Sequence, residues 1–297
     1  MLLLTGATGR VGTALLRRLL ARHEPVRCLV RDPRRLGSDR VRVQIALGDL
    51  ADPASFRHAL RGVRTVVHLA AAERDQAAAA LEEVDGVATW RLLRAAERAG
   101  AEHFVFLSPL GASPHHRSRV LRAKACAEQA VAEAAIPTTT LRCSLIYAPG
   151  DRNLLLLDLL SLLPAVPVTR RMGEAVTQPV FAGDVAACID AILTHPPDPP
   201  AGGHRVLEIA GPERYTNREA VQAVLEARGR PRRQLVLPSG LIRSILHAYE
   251  AATGPVALTT RDETDLLAAT MRTDRGTADA EALGVRPRAI RDVLART

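Results

Sequence analysis

The chain is expected to be an α/β protein: a doubly wound parallel sheet with a smaller, interleaved C-terminal α/β region. Three observations lead there. The opening Met1–Leu4 run is continuously apolar up to Thr5, as a central strand buried on both faces requires. A GxxGxxG loop, Gly6-Ala-Thr-Gly-Arg-Val-Gly12, follows at once and leads into an amphipathic helix. Apolar residues make up 47% and aromatics only 3%, so the core is Leu, Val, Ala and Ile, which suits a helix-covered sheet better than a sandwich.

The elements follow in order. Val11, Ala14, Leu15 and Leu19 recur at helical spacing until Pro25 ends the pattern. Strands are predicted at Val26–Val30, Val41–Leu47, Thr65–Leu69 and His103–Leu107, with helices over Pro53–Leu60 and over Leu81–Ala99, the latter closed by Gly100. Such alternation builds right-handed βαβ units. A helix over Ser118–Ala135 stops before Pro137, and Thr138–Ile146 reads as a sixth strand. Beyond Pro149-Gly150 the rhythm changes: an apolar helix at Leu154–Leu163, a Pro-broken segment, a helix at Phe181–Leu193, a Pro/Gly loop, and a strand at Val206–Ala210. Thr216-Asn-Arg-Glu219 has the spacing of a capping box opening another helix. The expected division is a dinucleotide-binding domain over residues 1–150, with returns near 177–212, and a smaller substrate or interaction region over 151–297.

Composition excludes several classes of function. A net charge of +8 invites nucleic acid or a membrane, but the arginines are scattered among Asp and Glu with no long block of like charge, and few aromatics are present to stack bases. The densest basic patches are Arg31, Arg34, Arg35 and Arg228, Arg230, Arg232, Arg233, the second expected to be solvated surface. Cys28, Cys126, Cys143 and Cys188 form no CxxC pair, so a reduced, cytoplasmic protein without a structural metal is expected. The apolar runs at Met1–Leu4 and Leu154–Leu163 are too short for a signal peptide or a membrane span.

In the glycine loop, missing side chains allow a tight turn and let backbone N–H groups approach a pyrophosphate, with the helix N-terminus adding positive potential. Gly6, Thr8, Gly9, Arg10, Val11 and Gly12 are therefore the candidate cofactor contacts of this loop. The second strand ends Leu29-Val30-Arg31, so guanidinium groups from Arg31, Arg34 and Arg35 stand where a 2′-phosphate would be read, and NADP is expected over NAD. Asp32 is also present there. Gly48-Asp49-Leu50 follows the third strand, where a carboxylate can accept from the adenine amino group, and Ala70 follows the fourth. Of 40 basic side chains only Lys124 is a lysine, a compact ammonium able to turn its donors toward two adjacent hydroxyls.

The segments Thr5–Gly12, Arg31-Asp-Pro33, Gly48-Asp-Leu50, Ser108-Pro-Leu-Gly-Ala112 and Lys124-Ala-Cys-Ala-Glu128 together resemble the extended, atypical short-chain dehydrogenase/reductase superfamily, a Rossmann-fold group. The likeness is to the NADPH-binding accessory subunit of complex I and its bacterial relatives, and it extends to Gln178–Val185 and Leu258–Asp262. The resemblance implies a catalytic Ser at Ser108 and a Lys at Lys124, which would bind the nicotinamide ribose and lower a tyrosine's pKa. It also implies a tyrosine four residues before the lysine, where Val120 stands. Valine can neither give nor take a proton. Arg142 is followed by Cys143, where the resemblance implies proline.

Two functions fit. One is an NADP(H)-dependent reductase passing hydride to a small apolar or aromatic substrate, its proton coming from Tyr147, His115 or His116, or from no residue at all. The other is a non-catalytic NADP-binding structural or redox-sensing subunit. Leu154–Arg171 is expected over the nicotinamide, and Leu237–Tyr249, with Arg243 and His247, is available for a homodimer contact or for lining the pocket.

Overall fold

The computed structural model describes residues 1–71, 83–195, 203–238, 240–242, 244 and 265–295. The first half alternates as expected: β1 (Leu2–Thr5), α1 (Arg10–Ala21), β2 (Val26–Val30), β3 (Gln44–Leu47), α2 (Pro53–Phe56), β4 (Thr65–His68), α3 (Ala88–Arg98), β5 (His103–Pro109), α4 (Arg119–Ala132) and β6 (Thr138–Cys143). The second half holds β7 (Ile146–Tyr147), α5 (Arg152–Leu160), β8 (Ala165–Thr169), α6 (Arg170–Glu174), β9 (Val176–Thr177), β10 (Val180–Phe181), α7 (Ala182–Thr194), β11 (His204–Ile209), β12 (Tyr215–Thr216), α8 (Asn217–Ala227), β13 (Arg233–Leu237), α9 (Ala278–Ala282) and α10 (Ile290–Leu294).

Seven strands form one sheet in the order β11-β6-β5-β4-β1-β2-β3, every neighbouring pair parallel. The chain runs outward from β1 through β2 to β3, then returns to β4 and runs the other way. The order therefore reverses between β1 and β4, which opens a crevice beyond their carboxyl ends. Alternate residues of each strand serve opposite layers. Leu2, Leu4, Val67, Val105 and Leu141 pack with α1 and α7, while Leu3, Val66, Phe104 and Phe106 pack with α3 and α4.

Several boundaries differ from those expected. The third strand begins at Gln44, because Pro33–Arg42 winds as a 3-10 segment kinked at Gly37 (φ 60°). The helix expected from Leu81 contains a π-turn, Glu83–Val87, before α3 proper. The sixth strand breaks after Cys143, and Ile146–Tyr147 pairs instead with β10. The Pro-broken segment after α5 contains β8, in parallel register with β13 from Arg233↔Ala165 to Leu237↔Thr169. A two-stranded ribbon has only edges, so Pro167, which has no N–H, is accommodated there. The capping box is as expected, with Thr216 accepting from the Glu219 amide at 3.2 Å and the Glu219 carboxylate accepting from the Thr216 amide at 2.7 Å. The Leu258–Asp262 segment, Tyr249, Arg243 and His247 lie outside the described residues.

Candidate functional site

The glycine loop sits at the point where the strand order reverses. Gly6 has φ +70°, and a Cβ there would stand 2.5 Å from the Ala70 nitrogen and 2.6 Å from the Leu69 carbonyl carbon. A Cβ on Gly12 would stand 2.0 Å from the Gly6 oxygen. Both glycines are therefore fixed by close backbone approach, one to the end of β4 and one to the loop itself. Gly9, extended at φ −83° and ψ 174°, is the N-cap of α1 with no side-chain cap bond, and the first turn of α1 holds no acid. The helix thus begins with uncapped N–H groups and unopposed positive potential, as an anion requires. Thr8 is half-buried on the loop, and Val11 is buried against the α7 layer. Arg10 turns back into the protein, donating to the Ile146 carbonyl at 3.0 Å and lying 3.7 Å from Asp151. Asp151 caps α5 through the Leu154 amide at 2.8 Å, so Arg10 ties the glycine loop to that helix.

At the far end of the crevice Asp32 accepts from the Arg34 amide at 3.0 Å, capping the 3-10 segment. That carboxylate is committed to its own turn, while Arg31, Arg34 and Arg35 are exposed around it. Asp49 accepts from the Ala51 amide at 3.0 Å and is half-buried; Leu50 is buried in the core with Phe56.

Between the crevice and α4 runs a buried chain of hydrogen bonds with a single direction. The Ala70 amide donates to Thr5 Oγ1 at 3.3 Å, Thr5 Oγ1 meets His68 Nδ1 at 2.7 Å, and His68 Nε2 meets Thr89 Oγ1 at 3.0 Å. Thr89 donates its one hydroxyl proton to the Asp85 carbonyl at 2.6 Å. Thr89 must therefore accept from His68, which puts the imidazole proton on Nε2 and leaves Nδ1 to accept from Thr5. Burial, and secondarily the Lys124 charge, push the His68 pKa down to about 3, consistent with a neutral ring. His68 is stacked on Phe106 with ring centroids 5.7 Å apart.

Asp85, from the π-turn, also lies 3.3 Å from Lys124 Nζ, the two side chains being 0% and 4% exposed. The ammonium stands 5.2 Å from the centroid of the Phe106 ring. Lys124 thus has a buried carboxylate as its counter-ion. Its Nζ and Ser108 Oγ are both buried without a hydrogen-bond partner among the described residues. Ser108 is two residues beyond Phe106 on β5, hence on the same sheet face, opposite Arg142 in register. Arg142 itself is bound to Glu128 of α4 at 2.6 Å.

The other proton-donor candidates are placed elsewhere. Tyr147 is buried with Leu154, Val224, Ile290 and Val293, its ring 5.9 Å from that of Phe181. Burial, and then the charge of Asp184, raise its pKa well above the usual phenol range. His116 accepts from the Ser118 amide at 2.9 Å, holding the turn into α4, and His115 is exposed beside it. Val120 is buried one turn before Lys124. The sequence reading did not find His68, Thr89 or Asp85. Asp85 stands in Glu-Glu-Val-Asp-Gly, within the stretch expected as the helix Leu81–Ala99, where nothing local marks one acid of three as buried.

The family model described as NAD(P)H-binding matches residues 6–196. The (4-alkanoyl-5-oxo-2,5-dihydrofuran-3-yl)methyl phosphate reductase of Streptomyces griseus is 33% identical over 244 residues, 78% of this chain and 76% of that one. Mouse NADH dehydrogenase [ubiquinone] 1 alpha subcomplex subunit 9 is 30% identical over 216 residues, 71% of this chain and 56% of that protein. Among solved structures, the NADPH-dependent quinone oxidoreductase of Escherichia coli, complexed with NADPH, superposes with a TM-score of 0.74 at 17% identity. That match covers 100% of this chain and 99% of that one. The chain belongs to the NAD(P)H-binding family, within the extended, atypical short-chain dehydrogenases/reductases.

Proposed function

We propose that the chain is an NADP(H)-dependent oxidoreductase that passes hydride to a small apolar or aromatic acceptor without a tyrosine acid. The observation that carries the nucleotide reading is the Gly6–Gly12 loop, which has no room for a Cβ and opens onto an uncapped helix at the crevice. NADPH would supply the hydride. Gly6, Thr8, Gly9, Val11 and Gly12 would hold the pyrophosphate by backbone approach, while Arg10 fixes the loop against α5. Arg31, with Arg34 and Arg35, would read the 2′-phosphate, a reading supported by the engagement of Asp32 with its own turn. Asp49 and Leu50 would border the adenine, and Ala70 would form the wall of the crevice. Lys124 would face the nicotinamide ribose, oriented by Asp85 at 3.3 Å. Ser108 would be its neighbour at the acceptor.

With Val120 in place of a phenol and Tyr147 in a separate apolar cluster, acceptors that take hydride without an enzyme proton suit the site best. A reductase and an NADPH-dependent quinone oxidoreductase among the similar proteins support the redox assignment. One observation favours a second reading, a non-catalytic NADP binder: both Lys124 Nζ and Ser108 Oγ are sealed from solvent. Purified protein with NADPH and a panel of quinones, azo compounds and cationic dyes separates the two. Turnover with an acceptor of this kind is the expected result. Tight nucleotide that is never oxidised across the panel would establish the binder.

A further inference from the structure

The second basic patch, Arg228 to Arg233, has no part in the nucleotide reading, and it does not stand alone. Helix α5 and the turn after it carry Leu155, Leu159, Leu162 and Leu163, spaced i, i+4, i+7 and i+8 and therefore on one helical stripe. The turn continues the helical winding, Leu162 N donating to the Leu159 carbonyl and Leu163 N to that of Leu160, each at 3.1 Å. All four leucines are exposed, by 48, 52, 71 and 46%. A contiguous exposed apolar stripe with Leu162 at its tip calls for a partner.

The arginines border that tip. Arg232 Nε donates to the Ser161 carbonyl at 2.8 Å, and Arg233 lies opposite Ala165 where β13 runs beside β8. The single acid of α5, Asp158, is taken up by Arg228 at 2.7 Å, and Glu226 by Arg291 at 3.2 Å. Arg230, Arg232 and Arg233 are exposed and form no ion pair among the described residues. The face is thus a leucine ridge edged by guanidinium groups whose nearby acids are already used.

We propose that this face docks on an anionic lipid surface, the leucines entering the acyl boundary and Arg230 and Arg233 meeting headgroup phosphates. The charge pattern selects this partner. A second copy would have to meet this basic edge with free acids, and those of this face, Asp158 and Glu226, are already paired with Arg228 and Arg291. A protruding leucine tip with basic flanks is what interfacial binding uses, and single arginines near an anionic surface each strengthen it several-fold.

The test is flotation of the full chain with vesicles of phosphatidylcholine alone or with about one-third phosphatidylglycerol. The expected result is binding at least about tenfold stronger to the anionic vesicles, weakened by salt. Leu162→Ser with Leu163→Ser should lower it by about tenfold, and so should Arg230→Glu with Arg233→Glu. All four side chains are exposed, so thermal melts of both variants should match the parent. Equal binding to both vesicles, no binding, or unaltered binding by either variant would overturn the proposal. A dimer in gel filtration that the double serine variant splits would also overturn it, assigning the ridge to a second copy instead.

Discussion

Lys124 shows how a single residue can stand in two arrangements at once. Its rarity in an arginine-rich chain marked it for attention, yet its surroundings are as much those of a buried ion pair as of a ribose site. Removing one partner of such a pair strands the other charge in the interior. Asp85→Asn should therefore cost about 3–5 kcal/mol in denaturant unfolding, and the Asp85→Asn, Lys124→Met double variant should recover a large part of that loss. Additive losses would show that the two residues are not coupled.

His68 gives a second prediction at this scale. Its folded pKa of about 3 lies below the unfolded value near 6.5, so only the unfolded chain takes up this proton between those values. Stability contributed by the neutral ring is complete above about pH 6.5 and falls as pH drops toward 3, by up to about 1.4 kcal/mol per pH unit. His68→Asn should flatten the acid limb of a stability–pH curve by about one proton. An unchanged slope would mean that the histidine is not held neutral. No sequence pattern pointed to this residue, because its role comes from Thr5, Thr89 and Phe106, which join it only when β1, α3 and β5 come together.

At the scale of elements, what could be read in advance was what is encoded locally. The glycine loop and the Thr216–Glu219 capping box are fixed by residues within one turn of each other, and both appear at the expected positions. Strands β8 and β13 are the opposite case. Each is five residues long, β8 contains Pro167, and their pairing spans more than sixty positions, so neither signals itself alone. Two substitutions test the local elements. Gly12→Ala places a methyl 2.0 Å from the Gly6 carbonyl oxygen, so it should abolish detectable NADPH binding and lower the melting temperature. Thr216→Ala removes the cap of α8 and should cost about 1 kcal/mol in a denaturant melt while leaving nucleotide affinity alone.

For the whole molecule, the reversal of strand order between β1 and β4 puts the glycine loop, the arginines after β2 and the buried Thr5–His68–Thr89–Asp85 chain around one crevice. The doubly wound sheet, the loop and the arginines followed from the βαβ rhythm and local motifs; the buried chain depends on contacts between elements far apart in sequence. The most direct measurement is calorimetric titration of the purified chain with NADPH and, separately, NADH. The expected outcome is one saturable site for NADPH, bound at least about tenfold more tightly than NADH because a 2′-phosphate meets Arg31 and its neighbours. Absence of heat with either nucleotide would contradict the assignment of the crevice, and equal affinity for the two would contradict the role given to those arginines.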